Sequence, residues 1–224
     1  MKNNSNPNAL IIFVKYPTPG EVKTRLGKSI GYEKAASLYS LIAKFIINKL
    51  TDSKSYTSLI FYSPENKKEE VKKWLNRNEL EYFPQTGNSL GEKISNAFKH
   101  CFSSGKKNVA IVGTDCIEIN EKELSNVFGM LSENNIDVIL GPSLDGGYYL
   151  LGLNKYRNKI FNNIEWSTNK VLNKTINIIN ENNLLYQTIE EKNDIDQIED
   201  IKLNKIEIFD KDLSNSIRTI LSEN

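Results

Sequence analysis

The chain has 224 residues, with 29 Lys and Arg against 28 Asp and Glu, a formal net charge of +1. That balance argues against a general nucleic-acid binder, whose phosphate contacts need a surplus of cations. One histidine (His100) and two cysteines (Cys101, Cys116) are too few for a four-ligand Cys/His zinc site or a disulfide framework, and 39% hydrophobic residues are enough to build a core.

The first residues are polar and Asn-rich and lack the basic-then-apolar order of a signal peptide. Residues 1–7 are expected to be a disordered tail, and 8–224 a single domain of ordinary size. The apolar runs fall far short of the roughly 20 residues that span a bilayer. The expectation is a soluble, cytoplasmic protein with no membrane or nucleic-acid partner; protein partners are not legible.

Ala9 to Val14 is an apolar run suited to one buried strand. Lys15 to Gly31 then breaks every periodicity, with Pro17, Pro19, Gly20 and Gly27. A helix is predicted from Tyr32 to Leu50, where Ala36, Tyr39, Leu41, Ile42, Phe45, Ile46 and Leu50 recur at helical spacing. Tyr56 to Tyr62 reads as a strand, and Pro64 opens a charged helix over Glu65 to Leu75. Leu80 to Phe83 is a short strand, Gln85 to Leu90 a turn, and Gly91 to Phe102 a helix. Asn108 to Val112 is a buried strand, Glu121 to Ser132 a helix, and Ile136 to Leu140 and Tyr148 to Leu153 are strands. Thr168 to Asn182 is helical, Leu184 to Ile189 extended, and Ser214 to Ser222 a terminal helix. Alternating strands and helices predict an α/β fold with a mostly parallel sheet. Ligands in such sheets sit outside the carboxyl ends of the strands, which directs attention to the loops after Val14, Val112 and Leu140.

The first loop places Gly20, Thr24 and the cations Lys15, Lys23 and Arg25 just past a buried strand. It is neither a P-loop nor a dinucleotide fingerprint. Backbone near a glycine can approach a phosphate while the cations neutralise it, although a solvated surface loop has the same composition. In the second loop, Gly113-Thr114-Asp115-Cys116, a carboxylate directly follows an apolar strand. Such a group is costly to bury unless paired or metal-bound; it suits either one ligand of Mg²⁺ or an ordinary turn. Cys116 reads as a small buried hydrophobe and His100 as a structural or surface residue. The third loop puts Asp145 before Gly146, Gly147 and Tyr148, which is either a hairpin turn or a site mouth open to a ligand. Gln85-Thr-Gly87-Asn-Ser89 leads into a helix; its amides can take an anion, and Ser89 suits an N-cap. Asp194 and Asp196 lie in a late acidic segment where either can join Asp115 in a metal site.

Taken together, FVKYPTPGEVKTRL, QTGNSLGEK, GTDC, GPSLDGGYYLLGL, IEWST and DIDQIEDI, in this order, resemble a bacterial family of GT-A-like transferases. That family was long labelled a domain of unknown function; some members are associated with arsenosugar biosynthesis. The resemblance spans about Ala9 to Ile201. It implies a GT-A fold, an α/β/α sandwich that binds a nucleotide-diphosphate sugar with Mg²⁺ or Mn²⁺. It puts Gly20, Lys23 and Arg25 on the nucleotide-binding loop and Asp115 at the metal. Many enzymes of this fold carry Asp-x-Asp there; this chain has one aspartate, as in the nucleotidyltransferases that share the fold. The family also favours proline where Ile117 and Ile198 stand.

The expected nucleotide-binding set is therefore Lys15, Gly20, Lys23, Thr24, Arg25, Gly87, Gly113 and Thr114. Asp115 and Asp196 are the expected metal ligands, Asp145 the catalytic candidate, and Gly146, Gly147, Tyr148 and Trp166 the substrate contacts. The expected activity is a metal-dependent glycosyltransferase that moves sugar from a nucleotide-diphosphate donor to a small-molecule acceptor. The alternatives are a nucleotidyltransferase that uses an NTP and releases pyrophosphate, and a nucleotide-binding module without turnover.

Overall fold

The structure, a computed structural model, describes residues 6–133 and 135–222. In chain order it runs β1 (Asn8–Lys15), α1 (Thr24–Ile30), α2 (Tyr32–Leu50), β2 (Thr57–Ser63), α3 (Lys68–Leu75), β3 (Glu81–Pro84), α4 (Leu90–Ser103), β4 (Asn108–Val112) and α5 (Glu121–Ser132). It continues with β5 (Val138–Pro142), β6 (Tyr148–Leu153), α6 (Val171–Glu181), β7 (Tyr186–Thr188), α7 (Leu203–Phe209) and α8 (Lys211–Ser222).

The strands form one sheet in the order β3-β2-β1-β4-β6-β5-β7. β1 pairs in parallel with β2 and β4, and only β6 runs the other way, antiparallel to β4 and β5. The expected α/β fold with a mostly parallel sheet is what the chain adopts. β1 shows why both faces must be covered. Leu10, Ile12 and Val14 point into one core with α2, α3, α5 and α8, while Ala9 and Ile11 point into another with α4 and α6. Alternate side chains leave a strand on opposite faces, so an unbroken apolar run requires helices above and below it. Ala9 to Ile12 are fully buried as a result.

Several boundaries differ from the sequence expectation. The segment read as irregular, Lys15 to Gly31, contains α1, which buries Leu26 and starts from a left-handed Lys23 without a side-chain cap. With no cap and a single turn or two of apolar pattern, it carries little helical signal. α6 begins at Val171, because the residues from Thr168 form a turn in which Thr168 Oγ1 donates to Glu165 O at 2.7 Å. α7 was not expected and packs against α8. Residues 1–5 of the expected tail lie outside the described residues. Asn6 and Pro7 are held: Asn6 Nδ2 donates to Lys54 O at 2.9 Å, and Pro7 O accepts from Lys107 N at 2.8 Å. Among the described residues, no helix is long and apolar enough to cross a membrane.

Candidate active site

Because β1 to β4 are parallel, Lys15, Ser63, Gln85 and Gly113 arrive at one edge of the sheet. A cavity of about 570 Å³ opens there, with Lys15, Lys23, Gly113, Thr114, Asp115, Tyr148, Asp194 and Asp196 in its wall. Two side chains stitch the strand ends together. Gln85 Nε2 donates to Val14 O at 3.2 Å and Phe61 O at 2.8 Å, so it ties β1 to β2. The Lys15 amide donates to Tyr39 Oη at 2.9 Å, and Tyr39 Oη lies 3.1 Å from Thr114 Oγ1. Burial, with a contribution from Asp115, pushes the Tyr39 phenol well up, so it stays a protonated donor. Its hydroxyl, shared between the Lys15 amide and Thr114, joins the ends of β1 and β4 to α2.

One wall of the cavity is the N-terminus of α4. Ser89 caps it, accepting from Glu92 N at 3.2 Å, and Glu92 Oε2 takes the Asn88 amide at 2.7 Å. This is the cap that Ser89 suggested. Gly87 sits at φ +130°, and a Cβ there would lie 2.7 Å from Glu92 Cβ, so glycine is what lets the turn close over the helix. Lys93 and the helix end add positive potential on this side.

The opposite wall is acidic. Asp115 is half-exposed, but its Oδ1 is enclosed and lacks an aligned hydrogen bond; the Lys23 ammonium lies 2.6 Å from it as an ion pair. The same ammonium is 3.8 Å from Asp196 Oδ1, and Arg25 Nη1 donates to Asp196 Oδ2 at 3.0 Å. Asp194 is the residue that the sequence reading weighed and passed over in favour of Asp196 as the second metal ligand. Its Oδ1 is buried without a partner. Burial, then the neighbouring carboxylates of Asp115 and Asp145, push its acid up to about 7. The segment is held in place by Ile195 N, which donates to Asp115 O at 3.0 Å.

The expected residues divide accordingly. Lys15, Lys23, Gly113, Thr114, Asp115, Asp196 and Tyr148 line the cavity. Arg25 reaches it only through Asp196, and Gly20, Thr24 and Gly87 shape its loops from outside the wall. Asp145, Gly146 and Gly147 form the β5–β6 hairpin: Asp145 Oδ1 accepts from Ser143 Oγ at 2.6 Å and from Gly147 N at 2.9 Å. The hairpin reading of Asp-Gly-Gly is thus correct, although Asp145 still bears on Asp194 electrostatically. Gly146, at φ +86°, has Asn169 O 2.3 Å from where a Cβ would stand, so it docks the hairpin on the segment before α6. Trp166 packs edge-on to Tyr148 at 6.4 Å and covers Gly91, whose Cβ would meet its Nε1 at 2.3 Å. Cys116 is buried, and burial pushes its thiol up to about 12, so it is not a nucleophile. His100 rests on Phe83 at 4.3 Å, outside the cavity wall.

Asp115 and Asp194 also fit an oxygen-seeking cation. Both carboxylates belong to the cavity wall, and the thiol of Cys116 beside them is held protonated by burial, which leaves oxygen as the donor on offer. No cluster of three or more His, Cys, Asp or Glu among the described residues suits a metal by itself. A cation here would share its shell with phosphate oxygens, as Mg²⁺ commonly does.

The profile of a bacterial family, described as an uncharacterized protein conserved in bacteria (DUF2064), matches residues 46–168. This chain belongs to that family. The matched stretch carries Gln85, Asp115 and the Asp145 hairpin, but neither the first cationic loop nor Asp194. A solved structure from Desulfovibrio desulfuricans G20, described as a candidate nucleotide-diphospho-sugar transferase, is 28% identical. The match covers 96% of this chain and 97% of that one, at a TM-score of 0.88. A cytidylyltransferase from Leptospira borgpetersenii shares the fold at 15% identity and a TM-score of 0.57, covering 97% and 98% of the two chains. An inositol-1-phosphate CTP transferase from T. maritima does so at 13% and 0.53, covering 95% and 96%. Among curated proteins no sequence match is found. This DUF2064 member therefore has a fold like that of nucleotide-diphospho-sugar transferases.

Proposed function

We propose that the chain is a divalent-cation-dependent transferase that cleaves a nucleotide-diphosphate sugar and passes the sugar to a small-molecule acceptor. The observation that carries this reading is the pairing of walls in one cavity. Lys15, Lys23, Lys93 and the α4 N-terminus can bind a diphosphate, and beside it stand the carboxylates of Asp194, whose Oδ1 has no partner, and Asp115, whose Oδ1 meets only the Lys23 ammonium. The likeness to the Desulfovibrio protein supports the donor class.

Departure of the diphosphate is the difficult step, because negative charge grows on the leaving oxygens. Lys15 and Lys23 would neutralise that charge from preset positions, with Tyr39 and Gln85 keeping the strand ends from shifting. Asp115 and Asp194 would hold Mg²⁺ or Mn²⁺, which supplies further charge stabilisation to a bound diphosphate. The acceptor would enter beside Tyr148, next to the hairpin. Asp145, the expected catalytic residue, acts there through Ser143 and the field at Asp194 rather than from the cavity wall.

A second reading, nucleotidyl transfer, is favoured by one observation. Asp194 from a distant segment stands near Asp115, which gives two carboxylates where the loop after β4 carries a single aspartate. The two readings part on products. Incubation with UDP-, GDP- and ADP-sugars, and separately with NTPs, each with Mg²⁺ and an acceptor panel, should release nucleoside diphosphate under the first reading. Pyrophosphate release would favour the second. Failure of every nucleotide to raise the melting temperature with Mg²⁺ or Mn²⁺ would refute both, since a ligand at 100 times its Kd stabilises by about 2.7 kcal/mol.

A further inference from the structure

Lys23 is placed in an unusual way. Its backbone lies at φ +46° and ψ +46°, a left-handed conformation uncommon for a residue with a Cβ. Its side chain is only 6% exposed, and the ammonium lies 2.6 Å from Asp115 Oδ1 and 3.8 Å from Asp196 Oδ1. Among the described residues no other carboxylate lies within ion-pair distance of it. Lysine usually keeps its strongly hydrated head in water, so an enclosed ammonium needs these carboxylates as counter-charge.

That contact conflicts with the role of Asp115 as a cation ligand. The Asp115 oxygen that lacks an aligned hydrogen bond is the one the ammonium touches. A divalent cation arriving alone would have to displace Lys23 and leave its enclosed ammonium with only the more distant Asp196, already engaged by Arg25, which is costly. A diphosphate changes the balance, because its oxygens give the ammonium a new partner while Asp115 and Asp194 become free for the metal. The flexible four-carbon stem of lysine permits such an exchange without movement of the backbone.

We propose that Lys23 is a built-in counter-ion that reserves Asp115 until a diphosphate arrives, so that the divalent cation binds with the nucleotide and not ahead of it. The inference rests on the reading of Asp115 and Asp194 as cation ligands. Asp196 and Arg25 serve as the fixed side of the arrangement: their 3.0 Å hydrogen bond keeps one carboxylate occupied and leaves Asp115 to exchange partners.

Free Mn²⁺ measured by electron paramagnetic resonance tests the idea without any assay of turnover. In Lys23→Met, which keeps the length of the side chain and removes the charge, Mn²⁺ alone should bind at least about tenfold more tightly than to the wild type. Adding Asp115→Asn to Lys23→Met should remove that gain. Lys23→Gln serves as a second variant, and thermal melting establishes that each is folded. In the wild type, Mn²⁺ retention should rise when UDP, GDP, ADP or CDP is added, and the rise should be lost in Lys23→Met. Unchanged or weaker Mn²⁺ binding in both Lys23 variants would overturn the counter-ion, even where nucleotide still recruits Mn²⁺ through Asp115. Absence of any Asp115-dependent Mn²⁺ binding, with or without each nucleotide, would instead overturn the functional reading and the counter-ion with it.

Discussion

Asp194→Asn is predicted to stabilise the protein above neutral pH. Asp194 is enclosed near two other carboxylates, and its acid is raised from 3.8 to about 7. Well below 3.8 the group is protonated in both the folded and unfolded chain and contributes nothing. Between about pH 4 and 7 the unfolded chain ionises first, so the native state binds more protons and stability falls as pH rises. Above the folded value both states are ionised, and a carboxyl held at about 7 rather than 3.8 costs the fold roughly 4 kcal/mol. Asparagine keeps the volume, removes the charge and brings an amide that can donate to a neighbouring carboxylate. Urea unfolding at pH 8 should therefore show the variant more stable by about 2–4 kcal/mol, with the difference shrinking as pH falls toward 4. The same variant should lose stabilisation by Mn²⁺ with nucleotide. A difference that is negative at pH 8, or the same at pH 5 and pH 8, would refute the electrostatic account of this residue.

Other perturbations follow from individual contacts. Gly91→Ala puts a methyl 2.3 Å from Trp166 Nε1, so the indole must move; about 1–3 kcal/mol of stability and a shift in tryptophan emission are expected. Tyr39→Phe removes the hydroxyl between Lys15 N and Thr114 Oγ1, which should cost about 1–3 kcal/mol in unfolding and weaken nucleotide binding by calorimetry. Lys192→Met leaves the largely enclosed Glu123 without its cation and should cost about 2–4 kcal/mol, with much of the loss restored by adding Glu123→Gln. Each is read by chemical denaturation, and an effect below about 0.5 kcal/mol would count against the contact invoked.

How much of this was legible beforehand depended on the range of the interaction involved. α5 and β6 have the bounds that the sequence suggested, because local signals define them: Asn120 caps α5 by accepting from Glu123 N, and Tyr148 to Leu153 is a continuous apolar run. The reversed direction of β6 was not legible, since it is set by pairing with β4 and β5 rather than by anything within the strand. In the site, Lys23 and Asp115 stood out because they follow buried strands at the edge where ligands collect. Tyr39 did not, because it fits the apolar stripe of α2 and only its hydroxyl betrays its role. The sequence favoured Asp196 over Asp194 as the partner of Asp115, but spacing in an irregular segment carries no information on which side chain the backbone turns inward: Asp196 pairs with Arg25, and Asp194 is the enclosed one.

The backbone around Asp194 explains how a repulsive cluster persists. Ile189 N donates to Leu140 O at 2.9 Å, Lys192 N to Pro142 O at 3.0 Å, and Ile195 N to Asp115 O at 3.0 Å. Lys192 anchors the same stretch from its side chain, 7% exposed and 3.4 Å from Glu123 Oε1, while Tyr149 Oη donates to that oxygen at 2.9 Å. None of these bonds uses a carboxylate of the acidic wall, so they hold Asp194 near Asp115 whatever the charges there prefer. The repulsion cannot relax by moving the segment, and it adds to burial in raising the pKa of Asp194. A cation shared with a diphosphate would relieve it directly. The stability that the ligand-free site gives up near neutral pH is thus part of the driving force for binding, and loosening the Lys192 anchor should weaken cation binding even though Lys192 lies outside the cavity wall.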